Sequence, residues 1–441
     1  MMRSNGDKPK MTHFLNPLRR AMAAGGTALL ASCASLETAG LGGAETRRLT
    51  PARIEALDAA VTQQVGTGEI PGALVVIAEG GEVTYSRSMG FASLEDQRPV
   101  TEDTLFRFYS MTKPITCATV MTLYDDGLID LDTPISKYLP EFSEMSVRTE
   151  AGIVPATRPI TIRHLMTHTS GLTYAILPGP VQADYAAADV FAIENRTSET
   201  LEAHVRRLAR LPLVAEPGTV WNYGESMGVL GRLVEVVSGK SFGAYMRERI
   251  LAPLSMDDTG FYVPPEKRER LAELYHLSQD RTLSNAQDQA VYGGSYLEKP
   301  LLEYGGAGLV GTASDYMNFA QMLLAAGRFG DAQVLSSEAV TMMTSNQLDA
   351  SFGDAPLAAS GRGEGTGFGL CGYVNTARPP GAAPGAIGEY GWSGWASTAF
   401  WIDPQNDLAG LVFTQVIPDD IGSVALSSSV REAVYNPVKG E

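Results

Sequence analysis

The sequence predicts an α+β (or α/β) fold, in which a central antiparallel sheet is flanked by helices and joined to a mostly helical subdomain. Three observations predict it. Strand-like patterns lie towards both ends of the chain, helical periodicity dominates its middle, and 441 residues exceed what one hydrophobic core usually needs. We expect a leader at 1–45, a discontinuous α/β domain at 46–155 and 300–441, and the mostly helical subdomain at 156–299.

The predicted α/β domain opens with a helix and a hairpin. Thr50 and Pro51 are typical of a helix start, and apolar residues recur at helical spacing as far as Val65. Two strand-like runs then flank Gly80-Gly81, which predicts a β-hairpin.

Between about 155 and 330 the periodicity is helical, and three helices are predicted there. The first begins at a Thr161 cap, and the second ends at Gly239 after presenting one apolar face. The third begins at Thr312 or Ser314 and ends near Gly327.

The C-terminal part returns to strand patterns. The runs FGLCGYV, STAFWIDPQND and LAGLVFTQV predict antiparallel strands with a turn at 404–407, and a last helix is expected from about 423 to 435. The Pro/Gly-rich stretch 377–388 is interpreted as a loop, because a strand run resumes on each side of it. A sheet built from both ends of the chain places the expected active site at the seam with the helical insertion.

Charge and the N-terminal segment bear on partners and location. The formal charge of −16, with no basic stripe, argues against nucleic acid. Basic residues precede an apolar run at 21–31, as in a secretory signal, and the run leads to Cys33 in a pattern that resembles a bacterial lipobox. We expect an exported protein, periplasmic or anchored by a lipid on Cys33. A cytoplasmic protein with an N-terminal tail is the alternative.

The cysteines and histidines predict no further chemistry. Cys33, Cys117 and Cys371 form no disulfide framework and no Cys-x-x-Cys motif. His164 and His168 are four apart, as in a zinc protease, but Leu165 occupies the place of the required glutamate. We therefore expect no metal and no organic cofactor.

Two serines compete as the nucleophile of a hydrolase. Ser226 lies in a G-x-S-x-G pattern, which in a nucleophile elbow is followed by an acid and then a histidine. The only later histidine is His276, crowded against Asp257 and Asp258, so we interpret Ser226 as part of the first turn of a helix.

The other serine is Ser110, three residues before Lys113. In a helix this spacing places the amine beside the hydroxyl. A serine needs a neighbouring base, and burial of the following apolar helix would lower the pKa of Lys113 enough for that role.

Three motifs in order give the strongest signal: Ser110-x-x-Lys113, Tyr223-Gly224-Glu225 and Trp392-Ser393-Gly394. Their order resembles class C β-lactamases, penicillin-binding proteins and, most closely, the family VIII carboxylesterases. The resemblance runs from about residue 50 to the end of the chain and implies a β-lactamase-like fold. It rests on five blocks: IPGALVVIAEGGEV, TLFRFYSMTKPIT, ITIRHLMTHTSGLTY, EPGTVWNYGESMGVLG and GGAGLVGTASDYMNFAQML.

Two departures from the β-lactamases indicate the substrate. Those enzymes carry Tyr-x-Asn and Lys-Thr-Gly, whereas this chain has Glu225 and the neutral Trp392 in place of the asparagine and the lysine. Loss of that cation removes a charge-assisted contact to a substrate carboxylate. We predict a serine carboxylesterase for short-chain esters, with weak cephalosporin hydrolysis as a side activity. A class C-like β-lactamase or D-alanyl-D-alanine peptidase is the alternative enzyme, and a ligand-binding protein without turnover is the alternative class.

The resemblance also implies roles. Ser110 would attack the ester carbonyl while Tyr223, paired with the Lys113 ammonium, takes the serine proton; whether Tyr223 or Lys113 is the formal base stays open. The backbone N–H groups of Ser110 and Trp395 would form the oxyanion hole. Substrate contacts are expected from five residues: Tyr109, Glu225, Trp392, Ser393 and Gly394.

Overall fold

The structure, a computed structural model, describes residues 49–420 and 424–437. The predicted leader at 1–45, including Cys33, lies outside the described residues. Within the described part of the chain, no helix combines the length and the apolar character that crossing a bilayer requires.

Ten helices and seventeen strands are formed by the described residues. The helices are α1 (Pro51–Gly66), α2 (Thr112–Asp125), α3 (Ile162–Met166), α4 (Gln182–Ala187), α5 (Leu201–Leu208), α6 (Ser226–Ser238), α7 (Phe242–Met246), α8 (Ala313–Leu324), α9 (Ser337–Thr344) and α10 (Leu426–Tyr435). The strands are β1 (Gly72–Glu79), β2 (Glu82–Ser93), β3 (Arg98–Pro99), β4 (Phe106–Arg107), β5 (Ser146–Thr149), β6 (Gly152–Pro155), β7 (Tyr275–Leu277), β8 (Leu283–Asn285), β9 (Val310–Gly311), β10 (Arg328–Phe329), β11 (Ala332–Gln333), β12 (Thr366–Phe368), β13 (Tyr373–Asn375), β14 (Tyr390–Ser393), β15 (Ala399–Asp403), β16 (Leu408–Phe413) and β17 (Val416–Pro418).

The main sheet joins the two ends of the chain. Its eight strands run in the order β12-β13-β14-β15-β16-β1-β2-β3, and every pairing within it is antiparallel. The pairing of β1 with β16 sets Leu74 opposite Phe413 and thereby closes the two ends into one sheet. The predicted central antiparallel sheet flanked by helices is confirmed. The division into an α/β domain and a helical subdomain stays a prediction.

Both faces of the sheet are covered, which explains why β1 is buried along its whole length. Leu74 and Val76 face the large core that holds α2 and α8. Val75 and Ile77 face the smaller core that α1 and α10 form on the opposite side. Because neighbouring strand residues point to opposite faces, a continuous apolar run is what a doubly covered strand requires.

Several predicted element boundaries are confirmed by local chemistry. The Thr50 side chain accepts the Arg53 N–H at the start of α1, and the Thr312 side chain accepts the Asp315 N–H at the start of α8. Gly239 ends α6 with a φ of 70°, a left-handed conformation that favours glycine.

Two C-terminal strand predictions need correction. FGLCGYV is a hairpin turn between β12 and β13, because Cys371 has a φ of 65° and the Gly369 N–H bonds back to the Gly372 carbonyl. LAGLVFTQV does not form one strand either. Its last residue, Val416, begins β17, which leaves the main sheet and pairs in parallel with β7.

The expectation that the cysteines form no disulfide is wrong. Cys117 of α2 and Cys371 of the β12–β13 turn are bonded, with their Cα atoms 6.1 Å apart and 254 residues between them in sequence. No local spacing predicts such a pair, since only the folded sheet brings the turn onto the helix. The bond joins the helix that carries Lys113 to the sheet next to β14.

Removing this disulfide is expected to destabilise the fold. Cys117→Ala/Cys371→Ala should lower the free energy of unfolding by about 2–5 kcal/mol, because a long loop loses its constraint in the unfolded chain. Urea denaturation with and without dithiothreitol measures the effect, and the double variant is the control that reductant should leave unchanged. Equal wild-type midpoints in the two buffers would contradict the assignment.

Candidate active site

The local fold positions Ser110 at the start of α2. A 3-10 turn at Tyr109–Met111 leads into the helix, and Tyr109 has a φ of 45°, which turns the chain sharply just before the serine. Strand β4 anchors the segment by pairing with β9, and the Thr112 hydroxyl accepts the Leu309 N–H at 3.1 Å. Ser110 is half-buried, while Lys113 lies fully buried one turn later.

Three hydrogen bonds define the centre of the site. Lys113 Nζ donates to Ser110 Oγ at 2.9 Å and to the Gly306 carbonyl at 2.8 Å. The Tyr223 hydroxyl donates to Ser110 Oγ at 2.8 Å. A serine oxygen in contact with both an amine and a phenol is the arrangement required of an activated nucleophile.

Tyr223 lies on a loop whose close packing requires glycine at the next position, Gly224. A Cβ on Gly224 would lie 2.4 Å from the Leu172 carbonyl oxygen, so the loop packs directly on the backbone of the segment after α3. The Tyr223 ring then lies against His168, Trp221 and Tyr174, with centroid distances of 4.8, 6.0 and 5.3 Å. These rings fix the direction of the phenol.

Lys113 and Tyr223 both touch Ser110, and burial shifts their pKa values in opposite directions. Burial lowers the pKa of Lys113 to about 7, against the opposing effect of the Glu225 carboxylate. Burial raises the pKa of Tyr223 to about 12, although its hydrogen bonds with Ser110 and Trp392 oppose the shift. Near neutral pH a large fraction of Lys113 is therefore an amine able to accept a proton, while Tyr223 keeps its own.

The third motif, Trp392-Ser393-Gly394, lies at the end of β14 and packs beside the turn that carries Ser110. Trp392 Nε1 donates a long hydrogen bond of 3.4 Å to the Tyr223 hydroxyl. A Cβ on Gly394 would lie 2.3 Å from the Phe108 carbonyl oxygen, which shows how closely this strand end approaches the Ser110 turn. Trp395 follows at once, and its ring lies 6.1 Å from that of Tyr109. Ser393 is exposed at the end of β14.

Two residues predicted to contact substrate, Tyr109 and Glu225, are fully buried among other side chains. Tyr109 is fully buried, and its hydroxyl donates to the Tyr292 carbonyl, so it supports Trp395 from behind. Glu225 is also fully buried and faces His204 on α5. Sequence alone fixes neither side-chain direction, because both follow from packing between distant segments.

The sequence indicates only part of an aromatic wall that the structure forms beside Ser110. From Trp392 it continues through Tyr223 and Tyr174 to Phe191, and from Phe191 to Trp395, with successive ring centroids 5.3–6.3 Å apart. Only the two tryptophans and Tyr223 stood out, as parts of motifs. Tyr174 lies at the end of the HTSGLTY block, but nothing in its local pattern distinguishes it from a core tyrosine.

His168 was also interpreted only as structural. It is fully buried, and neither of its ring nitrogens has a hydrogen-bond partner within the described segments. Burial, together with the nearby Lys113, holds its pKa well below the usual range, so the ring beside Tyr223 is neutral.

The competing serine lies outside this constellation. Ser226 is the first residue of α6, fully buried, and its hydroxyl hydrogen-bonds to that of Ser170 at 2.9 Å. The histidine that an elbow would need, His276, instead contacts Asp419 at 2.8 Å. The prediction of Ser226 as a residue of the first helical turn is confirmed.

Comparisons with known proteins agree with the geometry. Residues 57–422 match the family described as Beta-lactamase. Esterase EstB of Burkholderia gladioli is 31% identical over 392 residues, which cover 86% of this chain and 94% of EstB. Lovastatin esterase of Penicillium rubens is 30% identical over 413 residues, covering 86% and 98% of the two chains. The solved structure of EstCE1, a hydrolase with promiscuous acyltransferase activity, is 27% identical and superimposes with a TM-score of 0.75 over 87% of this chain and 98% of its own.

Proposed function

This chain belongs to the beta-lactamase family, and we propose that it is a serine carboxylesterase that forms an acyl-enzyme on Ser110. The observation that carries the proposal is the contact of Ser110 Oγ with both Lys113 and Tyr223, at 2.9 and 2.8 Å. The esterase relatives support the reaction class.

The pKa values favour Lys113 as the base. Neutral Lys113 takes the Ser110 proton while Oγ bonds to the ester carbonyl carbon, and the carbonyl electron pair moves onto oxygen. The backbone N–H groups of Ser110 and Trp395 receive that oxyanion. For the choice of base that the sequence left open, the proposal is Lys113, and Tyr223 then supplies the second proton transfer.

Collapse of the tetrahedral intermediate returns the electron pair and breaks the bond to the alcohol. The leaving alkoxide takes the Tyr223 proton, which the Lys113 ammonium replaces; Nζ and the Tyr223 hydroxyl lie 2.9 and 2.8 Å from the same atom, Ser110 Oγ. Water then repeats both steps on the acyl-enzyme, so acid is released and Ser110 regains its proton.

The surroundings favour an uncharged ester. The aromatic wall from Trp392 to Trp395 presents rings rather than a lysine where a carboxylate-binding enzyme needs a cation. A short acyl chain fits the crowding of the wall, and Trp392, Ser393 and Gly394 are the proposed substrate contacts.

Export is a further part of the proposal. A disulfide such as Cys117–Cys371 persists in an oxidising compartment and is rare in the cytosol. It supports a periplasmic protein or a lipoprotein anchored through Cys33.

The test compares p-nitrophenyl butyrate with nitrocefin on the wild-type enzyme. The expected result is a kcat/KM for the ester that exceeds that for the β-lactam by on the order of a hundredfold or more, since losing a charged substrate contact costs several kcal/mol. Faster turnover of nitrocefin would replace the esterase assignment by a β-lactamase.

The pH dependence of ester hydrolysis follows from the pKa of the proposed base, Lys113. We expect kcat/KM for p-nitrophenyl butyrate to rise with pH through a midpoint near 7, because the Lys113 ammonium, which dominates at lower pH, accepts no proton. The rate should fall about tenfold per unit below the midpoint. An acid limb with a midpoint below pH 5 would refute Lys113 as the base.

A further inference from the structure

A row of charged side chains leads from the partly exposed Arg207 and Glu199 to the buried His204 and Glu225. Arg207 Nη2 lies 2.5 Å from Glu199 Oε1, and the same oxygen lies 3.1 Å from His204 Nδ1. On the other side of the imidazole, Nε2 is 3.7 Å from Glu225 Oε2. The charges alternate in sign, and the side chains of His204 and Glu225 are both 0% exposed.

One hydrogen bond orients the Glu225 carboxylate, whose Oε1 accepts the Ala192 N–H at 3.3 Å. Glu225 occupies the N-cap position of α6, where a negative charge is favoured, although its side chain makes no capping hydrogen bond. Although burial opposes a charge on His204, the carboxylates of Glu199 and Glu225 raise its pKa to about 9. The imidazolium therefore persists at neutral pH.

The inner end of the row, Glu225, lies two residues after Tyr223, whose hydroxyl is 2.8 Å from Ser110 Oγ and whose ring centroid is 4.5 Å from Lys113 Nζ. The Glu225 carboxylate favours the ammonium form of Lys113, and with burial it holds the pKa of Tyr304 well above the usual range. Tyr304 in turn hydrogen-bonds to Tyr174, whose ring centroid lies 5.7 Å from Lys113 Nζ. The titratable groups around the lysine and this carboxylate are Ser110, His168, Tyr174, Tyr185, His204, Tyr223 and Tyr304.

A buried ion pair seldom stabilises a fold more than an apolar pair would, so stability alone does not account for this row. We propose that Glu225 is a positioning residue, a fully buried carboxylate beside His204 and behind Tyr223 that acts on Lys113 and so sets the pH at which Ser110 becomes reactive. This inference rests on the proposed esterase mechanism. It gives the third residue of the Tyr223-Gly224-Glu225 motif an electrostatic role in place of a substrate contact.

The test is the pH profile of kcat/KM for p-nitrophenyl butyrate. Glu225→Gln should move the acid-limb midpoint down by roughly one pH unit, because the lysine loses the anion that favours its charged form. Glu225→Asp keeps the charge and should keep the wild-type midpoint. Asp403→Asn, which replaces another fully buried carboxyl group, at the end of β15, is the matched control with no shift of the midpoint.

A purely structural role for Glu225 predicts a different pattern. It would lower the melting temperature and the activity of Glu225→Gln but leave the midpoint where it is in wild type, and that result overturns the proposal. If Glu225→Gln fails to fold, His204→Gln carries the test, since removing the cation beside the carboxylate should also displace the midpoint. An unmoved midpoint in folded His204→Gln overturns the proposal equally.

A second measurement separates this inference from the esterase assignment. The rate at which a fluorophosphonate labels Ser110 depends on the same base but needs no ester turnover. Wild type that is labelled but does not hydrolyse the ester would refute the proposed function while still reporting the midpoint. Equal labelling midpoints in wild type and Glu225→Gln would refute the role of Glu225 alone.

Discussion

Ser110→Ala is expected to lower kcat/KM for p-nitrophenyl butyrate on the order of a thousandfold or more, because no other group is placed to form the acyl-enzyme. Its Oγ is the atom that both Lys113 and Tyr223 contact, and it is half-buried at the aromatic wall. The replacement removes one oxygen and leaves the 3-10 turn intact, so the melting temperature should change little.

Ser226→Ala is the matched control for this variant. Its hydroxyl meets only that of Ser170 among the described side chains, so the variant should stay within a few-fold of wild-type activity. A loss of activity in Ser226→Ala comparable to that in Ser110→Ala would contradict the choice of nucleophile.

Tyr223→Phe is expected to lower kcat by about 10²–10⁴-fold, the usual range for losing a general acid–base group. The ring would keep its contacts with His168 and Trp221, so the variant removes little beyond the hydroxyl at 2.8 Å from Ser110 Oγ. Since the pKa of Tyr223 is about 12, the lost step is donation to the leaving alcohol. Esters with poorer leaving groups than p-nitrophenol should therefore lose more.

Tyr390→Phe provides the control for a lost buried hydroxyl. Tyr390 is fully buried on β14, and its hydroxyl donates to the Leu370 carbonyl at 2.8 Å and not to Ser110. It should lose stability but retain kcat within a few-fold. Near-normal turnover of ethyl butyrate by Tyr223→Phe would remove Tyr223 from the mechanism.

The parts of the site that sequence predicts are those encoded locally or in the order of motifs. Ser110 and Lys113 lie one helical turn apart, so their spacing alone predicts their contact. Tyr223 is 113 residues from Ser110, and only the order of the three motifs indicated that the two would meet.

The parts that could not be predicted depend on long-range packing. The Cys117–Cys371 bond spans 254 residues, and the turn that presents Cys371 requires a left-handed residue inside an apparent strand. The inward direction of Glu225 depends on α5, which supplies His204 from a segment without any motif. Local patterns give element types, whereas these contacts arise only when the sheet and helices have packed.

The most direct test of the central claim is to label the wild-type protein with a fluorophosphonate and locate the adduct by peptide mass spectrometry. We expect one adduct, on Ser110, formed faster above pH 7 than below it and formed more slowly while a saturating concentration of p-nitrophenyl butyrate is present. An adduct on Ser226, or no adduct in folded protein that hydrolyses the ester, would contradict it.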